Sequence, residues 1–377
     1  MGKKTTIYMV RHCESEGNAC RRSQALFDGL VTRKGLEQAE VLAQRFADIP
    51  VTAIYSSDAY RSRMTAEPLA KAKGLPVRYR MMLREYTIGA WEGLGIGYTA
   101  NRFPELYKVW LETPYDHRIP GADPFALIAD RGCNTIERMA AENPGGTVVA
   151  VTHSCTLTCA LTKILGQPIS YYTQVKSGDN TAVTMLEVDE DGRIEVKYIN
   201  DDSHLPHHLL RHNYTGRSAA TNFDFHPIAD PASDGRYDEM ADLMCRQFPG
   251  RYTRQSLADT VNTALAQNPG FAVAATLPDR VCGMVVVGRD DTLPRDHGTL
   301  KTIYVVEDLR ERGYCEQAMG EAIDILRRAG YRYLVVKDCD EPHLRQMIDR
   351  FCFEPLPGRE GLVRMALTVP GLEGPVY

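Results

Sequence analysis

The chain has 377 residues, of which 44% are hydrophobic and 25% are charged, and its formal net charge is −5. This length suits two domains better than one, and the acidic balance argues against a chiefly nucleic-acid-binding role. No apolar stretch approaches the roughly 18 residues of a membrane span. The start has no signal-peptide pattern, and the ten cysteines form no Cys-x-x-Cys pair. We therefore expect a cytoplasmic protein with reduced thiols.

The first predicted element is a short buried strand, residues 5–10, which ends on Arg11 and His12. A second apolar strand, residues 147–152, ends in the same way on His153. Ligands of open α/β sheets bind at the carboxyl ends of the strands. Two histidines at this edge, one of them beside an arginine, suggest a phosphate site with a histidine nucleophile.

Strand and helix patterns alternate through the first 200 residues. Thr32 has the character of a helix N-cap, and glycines at 74 and 166 mark the ends of two further helices. Residues 99–112 and 123–142 are also predicted to be helical. The segments 181–188 and 193–200 predict a β-hairpin around Asp-Glu-Asp-Gly. This rhythm predicts an α/β fold in which a mostly parallel sheet is flanked by helices.

The rhythm stops near residue 201, and residues 204–224 are interpreted as a linker between a first domain (1–203) and a second (225–377). Histidines are frequent in this segment and raise the question of a metal site. No ligand spacing of a zinc site organises them, so a solvated linker is the simpler interpretation and no metal is expected. The four residues are His204, His207, His208 and His212.

The second half predicts two helices, three strands, and then alternating helices and strands, which is an α+β arrangement. The predicted helices are residues 234–248, 254–267, 313–329 and 342–352. The predicted strands are residues 271–276, 281–288, 299–306, 331–337 and 361–369.

Several motifs of the first 205 residues occur together, and in this order, in one known family. They are RHCESEGN at 11–18, FDGLVTRKGLEQA at 27–39, SSDAYRSRMTAEPLA at 56–70, LREYTIGAWEG at 83–93 and VTHSCTL at 151–157. On these motifs the first domain resembles the histidine phosphatase (phosphoglycerate mutase-like) superfamily. The resemblance implies a metal-independent phosphomonoester hydrolase that works through a phosphohistidine.

The same resemblance implies a role for each candidate residue. His12 is the expected nucleophile, and Glu85 is the expected acid that protonates the leaving oxygen. His153 acts beside them, with Arg11 and Arg61 on the phosphate oxygens. Asn18 adds a hydrogen bond to the phosphate, and Arg22, on the loop that frames the pocket in this family, is expected to contact the phosphate or the substrate.

The sequence departs from the family pattern at both histidine motifs. Cys13 follows the first histidine, and Ser154 and Cys155 follow the second, where glycine is usual. Glycine allows a positive φ and a close backbone approach to a ligand. These replacements are therefore expected to narrow the phosphate site or to shift its backbone donors.

The second domain, about residues 225–370, resembles the GNAT acetyltransferase fold. Its best motif, a strand followed by Arg-x-x-Gly-x-Cys and a helix, implies that acetyl-CoA binds at the backbone of the 310–315 loop. The residues named for this role are Arg310, Arg312, Gly313 and Cys315.

The family's catalytic tyrosine is replaced in this domain. Ile348 stands at the position of that tyrosine and Cys352 at that of a glycine, which puts acetyl transfer in doubt. Glu307 or Asp308 could act as a base, and nothing in the sequence singles out either.

Three functions stay open from the sequence. Hydrolysis of a small phosphorylated metabolite is favoured, because the stretch between Glu85 and His153 lacks the longer insertion of cofactor-dependent mutases. A phosphoglycerate mutase-type phosphotransferase is the second reading. A regulatory protein that binds a phosphorylated metabolite without turnover is the third. No nucleic acid or membrane partner is expected, and the sequence leaves the oligomeric state open.

Overall fold

The computed structural model describes residues 4–210, 221–338 and 342–370, which contain two separate sheets. The strands of the first sheet lie in the order β3-β2-β4-β1-β5-β6. The first four strands of this order run parallel, whereas β5 and β6 are antiparallel additions. The mostly parallel sheet predicted from the sequence is confirmed. The strands are β1 (Thr5–Arg11), β2 (Ala53–Ser56), β3 (Val77–Tyr79), β4 (Thr147–Thr152), β5 (Val183–Val188) and β6 (Ile194–Asp201).

Helices cover both faces of this sheet. One face packs under the apolar sides of α2 and α3, and the other packs under those of α6 and α7. Thr32 caps α2 as predicted, because its hydroxyl accepts a hydrogen bond from Gly35 N. The helices are α1 (Glu16–Ala19), α2 (Arg33–Arg45), α3 (Tyr60–Lys73), α4 (Ile96–Arg102), α5 (Pro104–Glu112), α6 (Phe125–Glu142) and α7 (Ser154–Ile164).

The predicted helix over residues 99–112 is two helices. Phe103 leaves the helical conformation at φ −130° and ψ 53°, and Pro104 starts α5. The residue before a proline is sterically disfavoured in helical backbone, so the break follows from the sequence. Strand β3, which sequence analysis missed, is three residues long and half exposed.

The register of the first sheet places the two histidine motifs side by side. Strand β1 pairs in parallel with β4, with Arg11 opposite Thr152. The next residue of each strand is a histidine, so His12 and His153 leave the sheet at the same edge. Their ring centroids are 5.1 Å apart.

The second sheet has seven strands in the order β12-β13-β11-β10-β9-β8-β7. Strands β10 and β11 pair in parallel only between His297–Thr299 and Tyr333–Val335, and beyond these residues the pairing ends. The strands are β7 (Asp224–Pro227), β8 (Ala272–Leu277), β9 (Arg280–Arg289), β10 (His297–Val305), β11 (Tyr333–Lys337), β12 (Glu354–Pro355) and β13 (Leu362–Ala366). The helices are α8 (Gly235–Gln247), α9 (Arg254–Gln267), α10 (Tyr314–Arg328) and α11 (Pro342–Arg350).

The predicted linker contains secondary structure at both ends. A short 3-10 turn covers His207–Leu209, and β7 begins at Asp224. The ring of His204 contacts Arg45 and the hydroxyl of Thr181, whereas His212 lies outside the described residues. Within the described ranges, no group of three or more metal-ligating side chains is found. In the same ranges, no helix has both the length and the apolar character to cross a bilayer.

Candidate active site

His12 lies buried at the carboxyl end of β1, and its ring contacts the backbone of the next residue. Its Nδ1 is 2.7 Å from the carbonyl oxygen of Cys13. Because a carbonyl oxygen only accepts hydrogen bonds, Nδ1 carries the proton in this contact. The neutral ring therefore has its lone pair on Nε2, the tautomer that a nucleophilic imidazole needs.

Arg61 lies at the start of α3, is 0% exposed, and has both terminal nitrogens hydrogen-bonded. Its Nη1 donates to Asp28 Oδ1 at 3.0 Å, and its Nη2 donates to Ala25 O at 3.0 Å. Burial raises the pKa of Asp28 even though the charge of Arg61 opposes that shift. Asp28 thus fixes the guanidinium, a role that the sequence did not single out although Asp28 lies in the quoted 27–39 motif.

His153 is also 0% exposed, and its ring lies between Arg61 and Ser57. Its Nδ1 accepts from Arg61 Nη2 at 3.2 Å, and its Nε2 lies 2.9 Å from Ser57 Oγ. Burial lowers the pKa of His153 well below its usual value, and the positive charge of Arg61 lowers it further. The ring is therefore neutral near pH 7, with the proton on Nε2. That proton is directed at Ser57 Oγ, so a ligand oxygen could accept it only in place of the serine, and the ring brings no positive charge.

Arg11 and Asn18 are joined to the nucleophile through a loop before β5. Arg11 Nη1 donates to the carbonyl of Gly178 at 2.7 Å. The amide of Asn180 donates to the backbone oxygen of His12 at 2.8 Å and to Asn18 Oδ1 at 3.4 Å. Asn180 lies in none of the motifs quoted above and is about 160 residues from its partners in sequence, so sequence analysis missed it.

The same loop holds a strained residue. Thr181 has φ +63°, a conformation that is an outlier for a β-branched residue. Its backbone N–H donates to the carbonyl of Arg11 at 3.0 Å. Strain of this kind persists where the surrounding structure enforces it, and such positions cluster at functional sites.

Glu85 lies against the amino end of α7. Its Oε1 accepts from Thr156 N at 2.9 Å and from the Thr156 hydroxyl at 3.1 Å, and its Oε2 accepts from Cys155 N at 3.1 Å. Arg131, on α6, donates to the Thr156 hydroxyl at 3.0 Å and supports this arrangement. The carboxylate is thereby fixed beside the segment that begins at His153.

The residues that replace the glycines have ordinary backbone angles. Cys13, Ser154 and Cys155 are not among the residues with positive φ, so no special backbone conformation is lost at these positions. The side chain of Cys13 packs with Val31 and Ala39 in a small apolar cluster. Burial raises the pKa of Cys13 to about 12, so its thiol stays protonated. The expected narrowing of the phosphate site, or shift of its backbone donors, stays a prediction.

Arg22 is engaged elsewhere. Its guanidinium forms ion pairs with Glu321 at 2.7 Å and with Asp324 at 3.2 Å, both on α10 of the second domain. It also donates to the carbonyl of Gly93 at 2.9 Å. The structure therefore holds Arg22 between the domains, and the predicted contact with phosphate or substrate stays a prediction.

The loop predicted to bind acetyl-CoA precedes α10. Gly313 has φ +84° and serves as the N-cap of the helix, a conformation that favours glycine. Arg310 stacks over Tyr304 and donates to the carbonyl of Val305, while Arg312 lies 3.4 Å from the carbonyl of Asp308. Both side chains thus make contacts within the protein, and that the loop binds acetyl-CoA stays a prediction.

A cavity of about 500 Å³ lies beside this loop, next to the stretch where β10 and β11 no longer pair. Cys315, Arg310 and Met347 are among its lining residues. Ile348, at the position of the family's tyrosine, packs in the apolar core. Neither Glu307 nor Asp308 lines the cavity, and Asp308 pairs with Arg280.

Comparison with known proteins finds one family match in each half of the chain. The model of the histidine phosphatase superfamily (branch 1) matches residues 7–202, and that of the acetyltransferase (GNAT) family matches residues 237–349. Over 199 residues the chain is 29% identical to a Hydrogenobacter thermophilus protein named phosphoserine phosphatase 1, with 53% of this chain and 93% of the relative covered.

Two further relatives are similar over the first domain. The probable phosphoglycerate mutase GpmB of Escherichia coli is 33% identical over 162 residues, which cover 43% of this chain and 75% of the relative. The solved structure of Bacillus stearothermophilus YhfR superposes with a TM-score of 0.51 at 28% identity and covers 53% of this chain and 98% of that structure. The paired strand-end histidines thus have a known family context: the chain belongs to the histidine phosphatase superfamily and carries a second domain of the GNAT acetyltransferase family.

Proposed function

We propose that the first domain hydrolyses small phosphomonoesters through a phosphohistidine on His12. The observation that carries the proposal is the contact of His12 Nδ1 with its neighbouring carbonyl, which leaves the lone pair on Nε2. Arg61, His153 and Glu85 around that ring supply the other groups that phosphoryl transfer requires.

In the first step, His12 Nε2 attacks phosphorus and the bond from phosphorus to the ester oxygen breaks. Arg11 and Arg61 would stabilise the charge on the phosphoryl oxygens, and His153 would donate from Nε2 to a phosphoryl oxygen in place of its contact with Ser57 Oγ. Glu85 would give its proton to the leaving oxygen. In the second step, water attacks phosphorus, its proton passes to Glu85, and the P–N bond breaks to release phosphate.

The names of two relatives suggest the first substrates to test, which are phosphoserine and a phosphoglycerate. Phosphate release by the wild-type chain should be compared with that of His12→Ala. The wild type should also show an acid-labile phosphate on His12 by mass spectrometry after a rapid quench. Turnover by His12→Ala at the wild-type rate would refute the nucleophile. No step uses a metal ion, so the rate should survive EDTA.

The match to a probable phosphoglycerate mutase favours phosphotransferase activity as the second candidate. That reaction requires that the phosphohistidine be passed to a second hydroxyl faster than to water. Incubation with a phosphoglycerate, with and without a bisphosphate primer, separates the two functions. Isomer formation without phosphate release would identify a mutase, and phosphate binding without either product would identify a binding protein.

For the second domain we propose that acetyl-CoA binds at the backbone of the loop before α10. The support is the positive φ of Gly313 at a helix N-terminus beside a cavity of about 500 Å³. Acetyl transfer would also need a base for the acceptor amine and an acid for the leaving thiolate. Neither Glu307 nor Asp308, the two candidate bases, lines the cavity. Calorimetry with acetyl-CoA on the full chain tests the binding, and absence of heat at saturating ligand would refute it.

A further inference from the structure

The segment that follows the nucleophile, residues 14–22, is held by the second domain. Glu14 Oε1 lies 3.0 Å from Arg350 of α11, and Arg22 pairs with Glu321 and Asp324 of α10. The segment also contains Asn18, the predicted phosphate ligand. One domain thus supplies the counter-charges for the loop that shapes the site of the other.

The central contact of this interface is a two-pronged ion pair. Arg327 Nη1 donates to Glu16 Oε1 at 3.0 Å, and Arg327 Nη2 donates to Glu16 Oε2 at 2.8 Å. The side chains are 6% and 1% exposed. Two parallel hydrogen bonds fix the orientation of a carboxylate as well as its distance, so Arg327 determines both for Glu16.

Glu16 is the first residue of α1, the four-residue helix that ends one residue after Asn18. A single helical turn has little stability of its own. Within the turn, Asn18 Oδ1 accepts from Ser15 N at 3.2 Å and from the Ser15 hydroxyl at 3.2 Å. Because Oδ1 is the acceptor there, Nδ2 is the group of Asn18 that could donate to a phosphate oxygen.

Close packing holds the same turn against the second domain. A Cβ added to Gly320 of α10 would lie 2.7 Å from the Sγ of Cys20 and closer still to its Cβ. Gly320, Glu321, Asp324 and Arg327 are spaced three or four residues apart or adjacent, so they form one stripe of α10. The stripe faces the segment that carries Asn18.

We propose that Arg327 is a positioning residue of the phosphatase site: its bidentate pair with Glu16 fixes the helical turn that presents Asn18 to the phosphate. The inference rests on the proposed phosphatase function. Arg327 touches no substrate in this scheme, and its effect passes through Glu16 and the turn. The second domain thereby completes the phosphate site of the first.

The test uses the full chain and orthovanadate, an anion with the tetrahedral shape of phosphate. Arg327→Met alone leaves Glu16 buried without a partner and could unfold the interface, so the main variant is Glu16→Gln with Arg327→Met, which removes both charges. Replacing both members of a buried pair is often tolerated. Arg327→Lys keeps the positive charge but cannot form the two parallel hydrogen bonds to the Glu16 carboxylate. Arg254→Met is the control, because in the part of the chain that the structure describes Arg254 pairs with Asp238 and Asp242 of its own domain.

The double variant should keep its melting temperature within a few degrees of wild type. Its vanadate affinity and its kcat/KM should fall by about tenfold to a hundredfold, the loss typical of a displaced site group. Arg327→Lys should lie between the double variant and wild type, and Arg254→Met should match wild type. A folded double or lysine variant with wild-type vanadate affinity would overturn the positioning role while the phosphatase function stands. A wild type that neither binds vanadate nor releases phosphate would overturn the phosphatase function and this inference with it.

Discussion

Gly320→Ala is the smallest change that tests how tightly the two domains fit. The new methyl would meet Cys20 Sγ at 2.7 Å, whereas unstrained carbon and sulfur contacts need about 3.5–4.0 Å. One side of the contact must therefore move by about 1 Å. Overpacking of this kind costs about 1–3 kcal/mol, and the better helix propensity of alanine returns about 1 kcal/mol of that.

We expect a net loss of up to about 2 kcal/mol in the free energy of unfolding, measured by chemical denaturation of the full chain. The turn that ends at Cys20 also carries Asn18. If the turn moves, kcat/KM for phosphate release should fall as well, by up to about a hundredfold. Both effects come from one contact and should appear together. Gly235→Ala is the control, because its new methyl meets nothing within 4 Å and Gly235 has no positive φ.

A second variant keeps this methyl group and removes the side chain that opposes it. Cys20→Gly combined with Gly320→Ala removes the side chain that the new methyl would strike. The pair should recover part of the activity that Gly320→Ala loses, although the added glycine costs some backbone entropy. If Gly320→Ala alone had wild-type stability and wild-type kcat/KM, the close fit inferred between α10 and residues 16–22 would be wrong.

Three further predictions concern single groups. Burial lowers the pKa of His204 to about 4 and that of His153 well below its usual value, so both take up protons more readily when unfolded; stability should fall as pH drops from about 6.5 toward 4, and His204→Asn should flatten that fall in denaturation curves. Glu85→Gln should slow alkyl phosphates far more than nitrophenyl phosphate, because proton donation helps most when the leaving oxygen is basic; equal slowing would indicate a structural role. Gly313→Glu should abolish the thermal shift given by acetyl-CoA, since it adds a negative charge where the phosphates would bind; an unchanged shift would place the ligand elsewhere.

The sheets and most helices could be predicted because their signals are local. The apolar runs before Arg11 and His153 and the cap at Thr32 depend on neighbours within a few residues. Strand β3 gave no such signal, since three residues are too few for a pattern. Strand β7 was hidden in the predicted linker, because its pairing with β8 (Asp224 opposite Thr276) joins residues about 50 apart.

The same difference between local and long-range signals separates the site residues that could be predicted from those that could not. Four of the site residues lie in motifs whose family resemblance implied a role for each, and the structure brings them to one edge of the first sheet. They are His12, Arg61, Glu85 and His153. Asn180 belongs to none of those motifs, and only the antiparallel addition of β5 beside β1 carries it to His12. The sequence around Arg22 gives no sign that its guanidinium forms ion pairs with carboxylates of the second domain.

The ion pairs of residues 14–22 bear on whether the two domains are independent units joined by a linker. Removing one member of a buried pair typically costs about 3–5 kcal/mol, because the other charge is left without a partner. A first domain cut from the second would expose Glu16 and Arg22 to water, which relieves that penalty but also releases the turn between them. The loss would therefore fall on the geometry around Asn18 more than on the core of the first sheet, whose apolar clusters lie within residues 7–199. On this proposal, the second domain forms part of the phosphatase site of the first.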